Sequence, residues 1–219
     1  MLIRIGARCK KDVNANSLAR FADPAALCWM RSAFQKGLPM FDFQPVLSGD
    51  LLDLRPQAPE DWDALFAVAA DPAIWAMHPM RERYREPVFR AFFDEALADR
   101  GGLVAVDRAD GTVFGFSRYS ERFAEPGEVE IGWTFLACDR WGGGWNREMK
   151  RLMLTHAFGT YETVIFRIGE DNLRSRRAVE KIGGVLTDRV QEYRMGDAVI
   201  RHVTYAIAKA DFAAGPLLS

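Results

Sequence analysis

One stretch, residues 128–158, constrains this chain more than any other: EVEIGWTFLACDRWGGGWNREMKRLMLTHAF. It runs from an alternating apolar segment through Gly142, Gly143 and Gly144, held between Trp141 and Trp145, into a run with Trp145, Met149, Leu152, Met153 and Ala157 on one helical face. Glycine in regular structure costs about 0.5–1 kcal/mol relative to alanine, so three in a row at a strand–helix boundary mark a backbone that something approaches closely. Such a turn, with a helix N-terminus behind it, presents free N–H groups and a partial positive charge of roughly half a unit, which suits phosphate oxygens. The segment satisfies neither GxxxxGK[ST] nor GxGxxG, the two common nucleotide loops. A flexible loop that merely tolerates glycine is the competing reading.

Regular punctuation on either side sets the rest of the fold. DLLDLRP alternates Leu52 and Leu54 with polar residues and ends at Pro56, as a strand does. PEDWDALFAVAADP places Pro59 and two acidic residues at a helix start, and Phe89, Phe92, Phe93, Ala96 and Leu97 repeat at helical spacing up to Gly101. LVAVD and TVFGFSRYS are strands joined through Asp110-Gly111, followed by EVEIGWTFL. TVIFRIG reads as a buried strand, LRSRRAVEKIGG as a helix stopped by Gly183 and Gly184, and VLTDRVQEYRM and AVIRHVTYAIA as strands turning at Gly196-Asp197. The order β-α-α-β-β-β-α-β-α-β-β predicts an α/β (α+β) class with a mostly antiparallel sheet of about six to seven strands and about four helices.

Composition narrows the function classes. The chain has 219 residues, 49% of them hydrophobic, and a formal net charge of -1, which argues against a cationic nucleic-acid binder. Charge is uneven: residues 1–39 carry Arg4, Arg8, Lys10, Lys11, Arg20, Arg31 and Lys36 against Asp12 and Asp23. This predicts a basic extension over 1–39, mobile or loosely packed, with Met40 as an alternative start; a transit peptide shares that composition. A domain over 40–210 and a tail over 211–219 follow. Cys9, Cys28 and Cys138 lack the spacing of a zinc or redox motif, and His78, His156 and His202 have no metal-ligand spacing, so no metal is expected. No apolar run reaches a membrane span, so a cytoplasmic protein without membrane or nucleic-acid partners, monomer or homodimer, is the expectation.

GEDNLRSRRAVEKIGGV is the second informative stretch: Asn172 suits a helix N-cap, with Ser175 in the first turn and Arg174, Arg176 and Arg177 close by. Together the two stretches resemble the GNAT superfamily of acetyl-CoA-dependent N-acetyltransferases, and within it the ribosomal-protein N-terminal acetyltransferases. The likeness covers residues 49–208 in element order, with the motifs confined to 128–150 and 172–184. It implies acetyl-CoA as co-substrate, the pantetheine arm along a splayed strand at Phe135 and Leu136, and the pyrophosphate against Trp141, Gly142, Gly143, Gly144, Trp145 and Asn146. Asn172 and Arg177 complete that implied set. Trp141 stands where the family has Gln or Arg, and Asn146 where it has Gly or Ala. Val179 stands where a tyrosine general acid is usual, so the likeness implies Ser175 as proton donor to the leaving thiolate.

Glu130, eleven residues before Trp141, matches by the same resemblance the strand carboxylate that serves as base. Glu128 shares its strand face, so Glu128, Glu130 or a water remains open; a solvated strand glutamate is the plainer reading. A carboxyl near pKa 4.3 is a feeble base until desolvation raises it. The acceptor matters as much, since an α-amine is roughly one-tenth to one-sixth neutral at pH 7 and a lysine under about one in a thousand. Trp75, His78, Arg83, Tyr84 and Trp133 are the candidate acceptor-cleft residues, with Arg81 beside them; packed aromatics and solvated arginines are the alternative. The acceptor implied is a primary amine, with a protein N-terminus as one candidate; a small amine such as a polyamine, amino acid or drug, or a non-catalytic acyl-CoA sensor, are the other readings.

Overall fold

The computed structural model describes residues 40–195 and 198–218, so the basic segment and the Gly196-Asp197 turn lie outside the described residues. Eight strands form one sheet: β1 (Leu47–Ser48), β2 (Leu52–Pro56), β3 (Gly102–Asp107), β4 (Val113–Ser120), β5 (Glu128–Leu136), β6 (Thr163–Gly169), β7 (Val185–Met195) and β8 (Ala198–Ala208), in the order β1-β2-β3-β4-β5-β6-β8-β7. All neighbours pair antiparallel except β5 and β6, which are parallel. The helices are α1 (Trp62–Ala69), α2 (Pro72–Trp75), α3 (Glu86–Asp99), α4 (Trp145–Ala157), α5 (Leu173–Glu180) and α6 (Lys209–Ala213).

The expected mixed, mostly antiparallel sheet is present, with one more strand and two more helices than the periodicity predicts. β1, α2 and α6 have two, four and five residues, too short to show a period. Between α1 and α3 the chain forms α2 and a 3-10 turn over Arg81–Tyr84.

Strand alternation feeds two cores, one on each face. Leu103 and Ala105 enter the cluster beneath α4 and α5, with Met149, Leu152, Met153, Val179 and Ile182, whereas Val104 between them joins α1, α2 and α3. On α3, Phe89, Phe92, Phe93 and Ala96 are buried at the spacing that produces an apolar stripe. Phe212 and Leu217 are buried in the first cluster, Phe212 against Phe158, so the segment after residue 210 is packed. Glu148 accepts the Asp50 amide and the Leu51 amide, the latter at 2.9 Å, tying the β1–β2 turn to α4. Among the described residues no helix is long and apolar enough to cross a membrane.

Two irregularities open the sheet at its centre. β5 pairs with β6 only over Glu128–Thr163, Val129–Val164 and Glu130–Ile165; beyond Glu130, β5 continues against β4 while β6 continues against β8. The strands therefore part, leaving a gap with one wall on each. β5 also bulges: Gly132 pairs with Arg118 and Phe135 with Phe116, so Trp133 and Thr134 oppose Ser117 alone. Trp133 takes φ 53°, an uncommon left-handed conformation for a bulky residue.

Candidate active site

A cleft of about 730 Å³ occupies this gap, lined by residues 131–136 of β5, residues 166–169 of β6, the loop before α4, the α5 N-terminus and the α2 region. The glycine loop closes one end. Gly142 has φ 75°, the left-handed region that glycine enters without strain, and a Cβ there meets nothing within 4 Å. Gly144 caps α4, whose first amides have no intrahelical partner. Trp141, Gly142, Gly143 and Asn146 line the cleft; Gly144 and Trp145 do not. A Cβ on Gly144 comes within 3.3 Å of Leu51, and the Trp145 ring packs edge-on against Phe114 at 4.9 Å beneath Arg140. From those two positions only backbone is offered to the loop.

Trp141 has a structural role in place of the usual Gln or Arg. Its Nε1 donates to the Leu136 carbonyl at 3.1 Å, and the Arg174 guanidinium covers the ring at 4.0 Å while donating to the Ile74 carbonyl at 2.6 Å. Loop, α5 and α2 are thereby tied across the cleft. Asn172 is the N-cap of α5, its Oδ1 accepting the Ser175 amide at 3.2 Å, and it also lines the cleft, so cap and site coincide. Ser175 lines the cleft and, among the described residues, its hydroxyl has no hydrogen-bond partner; Arg177 is exposed at the rim. Val179 is buried with Ile182 in the core under α5.

The two candidate carboxylates separate clearly. Glu128 is held by Arg189 Nη1 at 2.8 and 2.9 Å. Glu130 is 3% exposed; burial pushes its carboxyl up to about 7 despite the opposing pull of Arg167 and Arg118. Arg167 Nη1 stands 3.7 Å from Glu130 Oε2, long for a hydrogen bond, and that oxygen has no hydrogen-bond partner among the described residues. Glu130 does not itself line the cleft, but a Cβ on Gly132, which does, comes within 3.1 Å of Glu130 Oε1. The carboxyl therefore lies directly against lining residue Gly132.

At the other end, Trp75 is buried with Nε1 donating to the Ala69 carbonyl at 2.7 Å, and His78 meets its ring edge-on at 5.5 Å. His78 Nδ1 accepts the Met80 amide, and burial, reinforced by Arg83, pulls the imidazole down to about 3. Arg83 lies over the Trp75 and Phe92 rings at 5.2 and 4.6 Å. The Trp133 ring covers Arg118 at 4.2 Å. Trp75, His78, Arg83 and Trp133 line the cleft; Tyr84 does not, and its hydroxyl accepts from exposed Arg85 instead.

Lys150, Arg167 and His202 are among the lining residues that escape the sequence reading. Lys150, 4% exposed, donates to Thr134 Oγ1 at 2.6 Å and Ser117 Oγ at 3.0 Å, pinning the β5 bulge from beneath. No carboxylate pairs with it among the described residues, and burial pulls its amine down to about 7. A lysine in an amphipathic helix ordinarily reads as solvated, so no signal marked it. Arg167 stood out only as a charge inside an apolar strand, and His202 only as a polar position of β8. Arg and Lys side chains line the cleft along its length, and among the described residues no Asp or Glu does.

Comparison with known proteins supplies the family. The pattern described as the acetyltransferase (GNAT) domain matches residues 52–185, more than half of the chain. No curated protein matches. Solved structures with the same fold include a GCN5-related N-acetyltransferase from Brucella melitensis, 18% identical with TM-score 0.68 over 78% of this chain and 81% of that one. Mycobacterium smegmatis RimJ in complex with CoA-disulfide is 18% identical with TM-score 0.63 over 82% and 95%. Spermidine N-acetyltransferase from Vibrio cholerae in complex with CoA and spermine is 15% identical with TM-score 0.58 over 75% and 99%. With the family pattern running across the parted strands and the glycine loop alike, the chain belongs to the GNAT family of acetyltransferases, which act on acetyl-CoA.

Proposed function

We propose that this protein transfers the acetyl group of acetyl-CoA to a primary amine, with a protein N-terminus as the leading acceptor, in the cytoplasm. The observation that carries this reading is the departure of β6 from β5 at Glu130, beside a glycine loop and two helix N-termini. The gap suits an extended arm laid along the edge of β5 at Phe135 and Leu136, where β6 no longer pairs, and the amides over 142–146 suit a pyrophosphate, with Asn172 and Arg177 at its border. The open space around Gly142 fits such a group.

Bound acetyl-CoA supplies a carbonyl activated as a thioester. The chain does the rest: Glu130, through a water beside Gly132, accepts the proton that leaves the amine as the C–N bond forms, and Ser175 gives its proton to the thiolate as the C–S bond breaks. Glu130 then releases a proton to solvent and Ser175 regains one. A carboxyl with pKa about 7 is matched to this task near neutral pH. The lower pKa of an α-amine asks less of the base than a lysine's does, which favours a protein N-terminus. A polyamine acceptor, raised by the likeness to the spermidine enzyme, is opposed by the cationic lining. Purified protein mixed with acetyl-CoA and a panel of peptides and small amines, followed by thiol release, tests the reading. Turnover of peptide N-termini supports it; CoA binding without release across the panel favours a sensor.

A further inference from the structure

The acceptor end holds buried nitrogens that have no hydrogen-bond partner among the described residues. Arg83 Nε, Arg167 Nε and His202 Nδ1 are each buried and without a hydrogen-bond partner, and all three residues line the cleft. Of the three, Arg167 alone has a carboxylate within ion-pair distance among the described residues. Among the described residues no carboxylate lies within ion-pair distance of Arg83, whose guanidinium is fixed by the Trp75 and Phe92 rings; Arg167 meets Gln191 and, at 3.7 Å, Glu130; His202 stacks on Tyr193 at 5.2 Å. A buried donor left unmade costs about 1–3 kcal/mol, more when charged, so three together mark a place that a ligand completes.

We infer that the amine acceptor carries a carboxylate, bound by Arg83 with Arg167 and His202, while its amine faces Glu130. The inference rests on the acetyltransferase reading and names its acceptor class. A guanidinium fork matches a carboxylate in two parallel hydrogen bonds, and the flanking rings hold that fork in place. An amino acid and a peptide with an acidic residue near its N-terminus share this chemistry.

Paired acceptors distinguish the outcomes. Thiol release is measured for β-alanine against β-alaninamide, glutamate against glutamine, and peptides beginning Ala-Glu against Ala-Gln, with parent protein and Arg83→Gln. The carboxylate member of a pair is preferred by about ten- to a hundredfold in kcat/KM, and Arg83→Gln collapses that ratio toward one through KM. Preference within the amino-acid pairs identifies a small acceptor, and preference within the peptide pair a protein terminus. Equal rates for carboxylate and carboxamide in every pair on the parent protein, which needs no variant, overturn the inference, as does a ratio that survives Arg83→Gln. Should nothing be turned over, it is the acetyltransferase reading that fails; calorimetry of N-acetyl-β-alanine and N-acetylglutamate into the protein–CoA mixture then decides the carboxylate site. Binding to the parent that is lost in Arg83→Gln upholds it, and no binding to the parent, or binding that Arg83→Gln leaves unchanged, overturns it.

Discussion

The two ends of the cleft are built by different means. The glycine-loop end comes from two contiguous stretches, 141–146 and 172–177, and offers mainly backbone: a left-handed glycine, the first amides of α4 and an Asn N-cap. The other end gathers Trp75, Arg83, Trp133, Arg167 and His202 from five elements or turns, and offers side chains whose spacing depends on sheet register. Backbone recognition suits a ligand common to a whole family, while side-chain recognition is free to vary with the acceptor. The contrast predicts that substitutions at one end change cofactor affinity and at the other acceptor choice, with the proton-handling groups between them changing rate alone.

The largest effect expected is that of Glu130→Gln. Removing the basic lone pair lowers kcat by about 10²–10⁴ with CoA affinity little changed. The parent rate climbs as pH passes about 7, because the base acts when ionised and burial has raised its carboxyl to that value; the variant loses this inflection, which a pH–rate profile reads directly. Ser175→Ala is milder, slowing kcat by no more than about 10², the low end of general-acid effects, and an acyl donor with a more acidic thiol restores part of the rate. A full rate in Ser175→Ala would assign departure of the thiolate to solvent.

Gly143→Glu tests the backbone end. Its Cβ meets only the edge of the Trp145 ring at 3.3 Å, so the fold survives, while the carboxylate stands against the proposed pyrophosphate and weakens CoA binding about ten- to a hundredfold by calorimetry. Acceptor preference is unchanged. Lys150→Met reports on stability. The folded amine titrates at about 7 and the unfolded one at 10.5, so between these the unfolded chain binds a proton that the folded chain does not. Stability therefore rises with pH above about 7, by up to about 1.4 kcal/mol per unit from this group, and chemical denaturation of Lys150→Met at pH 7 and 9 lacks that rise. Glu128→Gln is the smallest: it breaks a partly exposed pair with Arg189, worth about 0–1 kcal/mol, and leaves kcat within about twofold.

The same contrast explains what the sequence made legible. The glycine turn and the Asn172 cap are local devices whose physics is complete within a few residues, so both sat where the pattern placed them. The choice between Glu128 and Glu130 could not be made from alternation, because the two share a face; a cross-sheet ion pair to Arg189 and the burial against Arg167 separate them. The family resemblance implies Gly144 and Trp145 in the pyrophosphate loop, yet the first turn of α4 places them against Leu51 and Phe114 and outside the cleft lining. Lys150 reaches the cleft through the bulge at Trp133 and Thr134, and a positive φ at a tryptophan has no sequence signature. Arg167 and His202 lie on strands that meet only in the finished sheet, where Gly169 pairs with His202.

The account's central claim is that the parted strands and the glycine loop form one acetyl-CoA site with its sulfur beside the bulge. A crystal structure of the CoA complex tests it most directly. The account predicts pyrophosphate oxygens about 3 Å from amides within 142–146, the pantetheine arm between β5 and β6, and the sulfur near Ser175 on the side of the gap facing Gly132. CoA seated elsewhere on the molecule, or a pyrophosphate held without those amides, would contradict it.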